Sequence, residues 1–225
     1  HKLVIEGLFG KVYNVTTTKE LMDSDVLSDL KINCLLLKYK MDDVQEVKRV
    51  TYQEEIKWIV ENEKRNEFIS NLTKNINGNT LLLFNYVDSH GKPLYELIKK
   101  MCPDRKVFLI HGGTEVGLRE EIRKIVDSEE NAILVASYGT CSTGINIRNI
   151  HNIVFASPSK SVIRVLQSIG RGLRKSSNKD SVKLYDICDD LCYKKYVNHT
   201  FKHMNERIKI YINEKFDYNT TNIRL

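Results

Sequence analysis

The feature that most constrains this chain is a set of short, continuously apolar runs. Leu81-Leu82-Leu83-Phe84, Val107-Phe108-Leu109-Ile110 and Ile133-Leu134-Val135 carry no polar residue at alternate positions. A strand with one wet face alternates; a strand buried on both faces does not. These runs therefore predict strands of a sheet covered on both sides, at residues 80–86, 106–110, 132–136, 152–156 and 182–187. Segments with helical periodicity fill the gaps, which is the pattern of an α/β fold with a parallel sheet. Thr51-Tyr52-Gln53-Glu54 reads as a capping box. The helix it opens carries Ile56, Ile59, Val60, Phe68, Ile69 and Leu72 on its apolar side and ends at Asn77-Gly78. Further helices are predicted at about 92–100, 118–126, 162–169 and 193–213.

The first ~40 residues break this rhythm. They hold a strand-like stretch at 11–15, a short helix opened by Thr17-x-x-Glu20 and an apolar stretch at 32–37. Residues 41–50 are polar and charge-mixed and read as a linker or an edge strand. The predicted division is 1–50 as an appendage and 51–225 as one domain, which fits a chain of 225 residues.

Composition narrows the class further. Apolar residues make up 41% and charged residues 28%, as in ordinary globular proteins. No run approaches the ~18 apolar residues that cross a bilayer, and no signal peptide opens the chain, so a cytoplasmic protein without membrane contact is expected. Cys34, Cys102, Cys141, Cys188 and Cys192 are odd in number and scattered, and are expected to be reduced and structural, with no metal site. Cys141 has no nearby histidine partner that would make it a nucleophile. The net charge of +6 fits a polyanion partner without requiring one.

The sharpest chemical element is Gln167-Ser168-Ile169-Gly170-Arg171-Gly172-Leu173-Arg174-Lys175. Two arginines three apart on a helical turn point the same way, and flanking glycines allow close approach. Phosphoryl transfer needs such rigid positive donors. Taken alone, the stretch reads equally well as a basic helix end that satisfies its dipole.

In context it resembles motif VI of superfamily-two helicases, where Gln or His is followed after two residues by Gly-Arg and after two more by Arg. Residues 133–146, Ile-Leu-Val-Ala-Ser-Tyr-Gly-Thr-Cys-Ser-Thr-Gly-Ile-Asn, resemble motif V. Residues 80–91 resemble motif IV, and Ile110-His111-Gly112-Gly113 followed by Arg119 resembles the next nucleic-acid contact motif. Four motifs in order, each at the end of a predicted strand, are similar to the C-terminal RecA-like lobe of such a helicase.

The resemblance implies an ATP-dependent DNA helicase acting on branched recombination and repair intermediates. Arg171 and Arg174 would reach the γ-phosphate as arginine fingers. Gln167, Gly170, Gly144 and Asn146 would face the nucleotide. Asn85, His90, His111, Gly112, Arg119 and Ser137 would contact single-stranded or branched DNA. Two positions depart from the pattern: Asn146 stands where Asp is common, and Val116 stands where Gln is common. For His90 and His111, a structural hydrogen-bonding role is an equal reading. The chain has no G-x-x-x-x-G-K-S/T loop and no D-E-A-D-like acidic run. ATP and Mg would therefore be held mainly by a first RecA-like lobe expected upstream of His1, with residues 1 to ~40 its trailing part, and this lobe alone is expected to be inactive.

Two alternatives stay open. One is a freestanding RecA-like module that binds nucleic acid without ATPase activity. The other, an unrelated α/β enzyme such as a transferase, would need a strand–G-x-G-x-x-G–helix unit, which the sequence lacks. The C-terminal helix places Lys194, Lys195, Lys202, Arg207 and Lys209 opposite its apolar side. It reads as a packed amphipathic helix with a solvated basic face, or as a duplex-contacting element.

Overall fold

The computed structural model describes residues 29–142, 147, 149–159 and 181–225. The strands are β1 (Asp29–Lys38), β2 (Thr80–Phe84), β3 (Val107–Ile110), β4 (Ile133–Ser137), β5 (Asn152–Phe155), β6 (Ser181–Asp190) and β7 (Asp217–Arg224). They form one sheet in the order β3-β4-β2-β5-β6-β1-β7, and every pair is parallel. The helices are α1 (Met41–Glu46), α2 (Tyr52–Glu61), α3 (Glu63–Asn75), α4 (Lys92–Met101), α5 (Val116–Ser128), α6 (Tyr138–Ser142) and α7 (His199–Asn213), with a π-helical turn at Val87–Gly91.

The runs in β2 and β4 are buried on both faces, whereas β3, at the sheet's edge, is half-buried at Val107, Phe108 and Leu109. On β2, Leu81 and Leu83 face one core and Leu82 and Phe84 the other; on β4, Leu134 and Ala136 oppose Ile133 and Val135. The first core is closed by Ile122 and Val126 of α5 and by Met204 and Tyr211 of α7. The second is closed by Ile69 of α3 and by Leu94 and Ile98 of α4. Each fully buried Leu or Ile contributes about 1.5–3 kcal/mol relative to exposure, so both helix layers are held chiefly by apolar burial.

Two glycines are required sterically. A Cβ on Gly91 would sit 2.4 Å from the Phe84 ring, and Gly78 has φ +95° with His151 packed against it. Beside Gly78, the Asn79 amide donates to the carbonyls of Val126, Glu129 and Asn149, while its Oδ1 accepts from Ala132 N–H at 2.7 Å. The opposite end of the sheet from the candidate site is thereby pinned.

The structure corrects several expectations. Residues 29–38 are not an appendage: β1 is bonded to β6 on one side and β7 on the other, so the sheet extends across the expected boundary. Within 41–50, Met41–Glu46 is a short helix whose Val44 is buried, in place of a linker or edge strand. The helix opened at Thr51 ends at Glu61, and a second begins at Glu63. Asn62, extended at φ −68° and ψ 114°, breaks them and caps α3 by accepting from Arg65 N–H at 3.0 Å. The last helix starts at His199 rather than 193, and a seventh strand follows it. The expected elements at 11–15, 17–20 and 162–169 lie outside the described residues.

Candidate nucleic-acid and nucleotide interface

Because all strands are parallel, their C-terminal ends meet at one edge, where open α/β sheets place their ligands. Three of the expected site loops leave that edge from β2, β3 and β4, and the chain leaving β5 joins them.

Ser157, which follows β5, is the centre of this edge. Its Oγ accepts from Asn85 N–H at 3.0 Å and lies 2.7 Å from His90 Nδ1. Its carbonyl accepts from the Tyr138 hydroxyl at 3.2 Å. The Asn85 side chain is exposed and donates to the Pro158 carbonyl at 3.4 Å, so it remains at the surface where a strand contact was expected.

His90 is 0% exposed, which corrects its expected role as a strand contact. Its Nε2 lies 3.2 Å from Asn66 Oδ1, so both ring nitrogens are engaged within the protein. Burial, and then the Arg65 guanidinium, hold its pKa well below the ordinary 6.5. Below that ordinary value the unfolded chain binds a proton that the folded chain refuses. Stability should therefore fall by about 1.4 kcal/mol per pH unit as acid is added through this window. Urea midpoints measured at about pH 7 and about pH 5.5 test this. The wild type should lose stability more steeply than His90→Gln, and equal slopes would refute the assignment.

The turn after β3 is built by its own side chains. His111 N–H donates to Thr114 Oγ1 at 3.0 Å, and Thr114 N–H returns to the His111 carbonyl at 3.0 Å. Gly113 N–H donates to His111 Nδ1 at 3.1 Å. Arg119 donates to the Thr114 carbonyl at 2.7 Å and to the Gly112 carbonyl at 2.8 Å. Its guanidinium therefore shapes the turn while part of its donor fork stays half-exposed. A Cβ on Gly112 would meet nothing within 4 Å, so backbone is presented openly there. Ser137 is only 8% exposed, and its Oγ lies 2.7 Å from Thr140 Oγ1 in the first turn of α6. That hydroxyl serves its own turn.

Arg171, Arg174, Gln167, Gly170, Gly144 and Asn146 lie outside the described residues. What flanks 160–180 is described. Arg207 of α7 donates from Nε and Nη2 to the two oxygens of Asp186 on β6, at 2.8 and 2.9 Å, and from Nη1 to the Ser159 carbonyl at 3.1 Å. Tyr211 donates to Asp186 at 3.0 Å. Three residues along β6, on the other face, Asp189 receives Arg65 at 2.8 and 3.1 Å and Tyr39 at 2.7 Å. These pairs escaped the sequence reading, and Arg207, expected on a solvated basic face, is 3% exposed. A carboxylate inside the run Val182–Ile187 was the signal. Carboxylates at buried positions require a cationic partner.

Mg finds no ligand set among the described residues. Asp186 and Asp189 are engaged by arginines, and Asp88 and Asp190 by Lys92 and Lys38. Cys141 is buried, and that burial pushes its thiol up to about 12. No helix among the described residues is long and apolar enough to cross a membrane.

Comparison with known proteins places this edge in context. Residues 63–176 match the helicase conserved C-terminal domain. The ATP-dependent DNA helicase uvsW of Enterobacteria phage T4 is 37% identical over 94% of this chain. The crystal structure of T4 UvsW superposes with a TM-score of 0.75 at 36% identity, covering 97% of this chain and 44% of that one. A fragment of a putative HsdR subunit of a type I restriction enzyme from Vibrio vulnificus YJ016 gives a TM-score of 0.67 at 13% identity, over 97% of this chain and 41% of that one. The DNA-bound Type ISP restriction-modification enzyme LlaBIII gives 0.60 at 15%, over 98% and 17%. These last two share the fold. This chain spans 44% of the length of the phage helicase. It belongs to the helicase conserved C-terminal domain family, with the architecture of the C-terminal RecA-like lobe of a superfamily-two helicase.

Proposed function

We propose that the chain is the C-terminal motor lobe of an ATP-dependent DNA helicase or translocase that acts on branched recombination and repair intermediates. In this reading a first RecA-like lobe holds ATP and Mg, and Arg171 and Arg174 supply positive charge to the transferring phosphate. Gln167, Gly170, Gly144 and Asn146 face the nucleotide. Asn85, His111, Gly112 and Arg119 contact a single or branched DNA strand through its backbone, which a translocase must hold without reading bases. His90 and Ser137 brace those contacts from beneath. The observation that carries the reading is the convergence of the β2 and β3 turns at one strand-terminal edge, in a chain 37% identical to a phage DNA helicase.

The test is the ATPase rate of the full-length, two-lobe protein with single-stranded DNA, branched DNA and RNA side by side. Stimulation should be greatest with branched DNA. No stimulation by any nucleic acid would end the motor reading, and equal stimulation by RNA would end the DNA assignment.

A further inference from the structure

The same edge continues past β5 and carries a second group of residues that the motor motifs do not use. The chain after β1 and α1 (47–50) meets the chain after β6 (191–198). Lys48 Nζ stands 5.0 Å from the centre of the Tyr193 ring, and Lys194 Nζ 5.4 Å from it. Beneath them, Tyr193 packs against the cluster of Val44, Val47, Ile59 and Leu191. The loop closes by a two-bond bridge between Tyr193 and Tyr196, and Asn198 anchors it by accepting from Leu191 N–H at 3.1 Å.

Three cations have left-handed backbone, Lys215 just after α7 and two in this group. Arg49 has φ 61° and Lys194 φ 52°, both left-handed, where glycine or asparagine is the low-cost choice. Lys48, Arg49, Lys194 and Lys195 are all exposed, and none forms an ion pair among the described residues, although Asp42, Asp43 and Glu46 lie nearby on α1.

Helix α2 connects this basic group to the expected strand contacts. Tyr52 opens α2 three residues after Arg49 and lies edge-on to His203 and His199 of α7, at 5.3 and 6.0 Å. Helix α2 packs against both α7 and the π-helical turn that follows Tyr86. Tyr86 directly follows Asn85 and is 37% exposed.

We propose that Lys48, Arg49, Lys194 and Lys195, with Tyr86, form an accessory track for single-stranded nucleic acid running from Asn85 towards β1. The cations take phosphates, and Tyr86 offers a ring to a base; cationic grooves with aromatic platforms hold single strands in this way. The inference rests on the nucleic-acid reading above and extends the contact beyond the motor loops.

The test uses the full-length protein and a fluorescein-labelled oligothymidylate, with anisotropy titrations across a salt series. The substitutions K48Q, R49N, K194N and K195Q together remove the charge, and asparagine suits the left-handed positions, so melting temperature should hold or rise. The log–log salt slope should shrink by about 3, given ~0.7 per phosphate contact on single strands. Separately, Tyr86→Ala should weaken binding by about 10-fold with the slope unchanged. If the quadruple variant keeps both the affinity and the slope of a wild type that does bind, the track is disproved and the motor reading stands. If the wild type itself fails to bind, both fall.

Discussion

Replacing Arg171 by alanine in the two-lobe protein is expected to lower nucleic-acid-stimulated ATP turnover by about 10³-fold or more, and Arg174→Ala to act in the same direction. The loss should fall on kcat, because a finger stabilises charge that develops only as the phosphoryl group transfers. Arg171→Lys should restore little, since a single ammonium cannot reproduce a planar fork of donors. The measurement is steady-state ATPase activity at saturating ATP and strand, paired with thermal melting. Near-normal turnover in both alanine variants, with normal melting, would remove the fingers from the mechanism. Gln167, Gly170, Arg171 and Arg174 all lie within the span matched by the helicase C-terminal domain, which supports testing them first.

The largest effect on stability is expected at Arg207. Burial alone would lower its pKa, but Asp186, Cys188 and Tyr211 hold it well above the ordinary value, so the group is charged inside the core. Arg207→Met would leave the Asp186 carboxylate buried at 1% exposure with Tyr211 as its remaining side-chain donor among the described residues. Stranding one partner of such a pair costs about 3–5 kcal/mol. For a domain of this size that lowers Tm by roughly 10 °C. The double variant Arg207→Met/Asp186→Leu should recover much of the loss, because apolar replacement of a whole buried pair is often near neutral. Urea melts of the two single variants and the double variant decide the point. A single variant within about 0.5 kcal/mol of wild type would show that the pair contributes nothing.

Much of the central sheet was legible because its strands are apolar on both faces. β2, β4 and β5 need only a hydrophobic run to be recognised, and the ends of β2 and β4 led directly to Asn85 and Ser137, whereas Ser157, after β5, carries no motif of its own and was missed. β7 is different. Asp-Tyr-Asn-Thr-Thr-Asn-Ile-Arg is almost wholly exposed, so nothing in its pattern marks an inside face, and it exists through its ladder to β1. β1 was read only as an apolar stretch because its neighbours, β6 and β7, come at least 143 residues later (181 − 38 = 143). Sequence patterns report local burial and not distant pairing.

The site shows the same split. Residue types at strand ends marked the right edge, but the sequence could not tell an outward side chain from an inward one. His90 and Arg207 both point inward for one reason: each meets a polar partner carried by a remote element, Ser157 and Asp186 respectively. Arg65 was hidden likewise, placed on an amphipathic helix whose apolar neighbours drew the attention.

Ser157 has a mechanical consequence. One hydroxyl joins the chain leaving β5 to the backbone of Asn85 and the ring of His90, and the adjacent carbonyl holds Tyr138. The exits of three neighbouring strands thus share a rivet. Moving the β5 exit by more than about an ångström breaks polar contacts in a dry interior, where each lost partner is costly. The three exits will shift together or hardly at all, so a displacement begun on one side of the sheet's rim is passed to the next without any side chain having to change its rotamer.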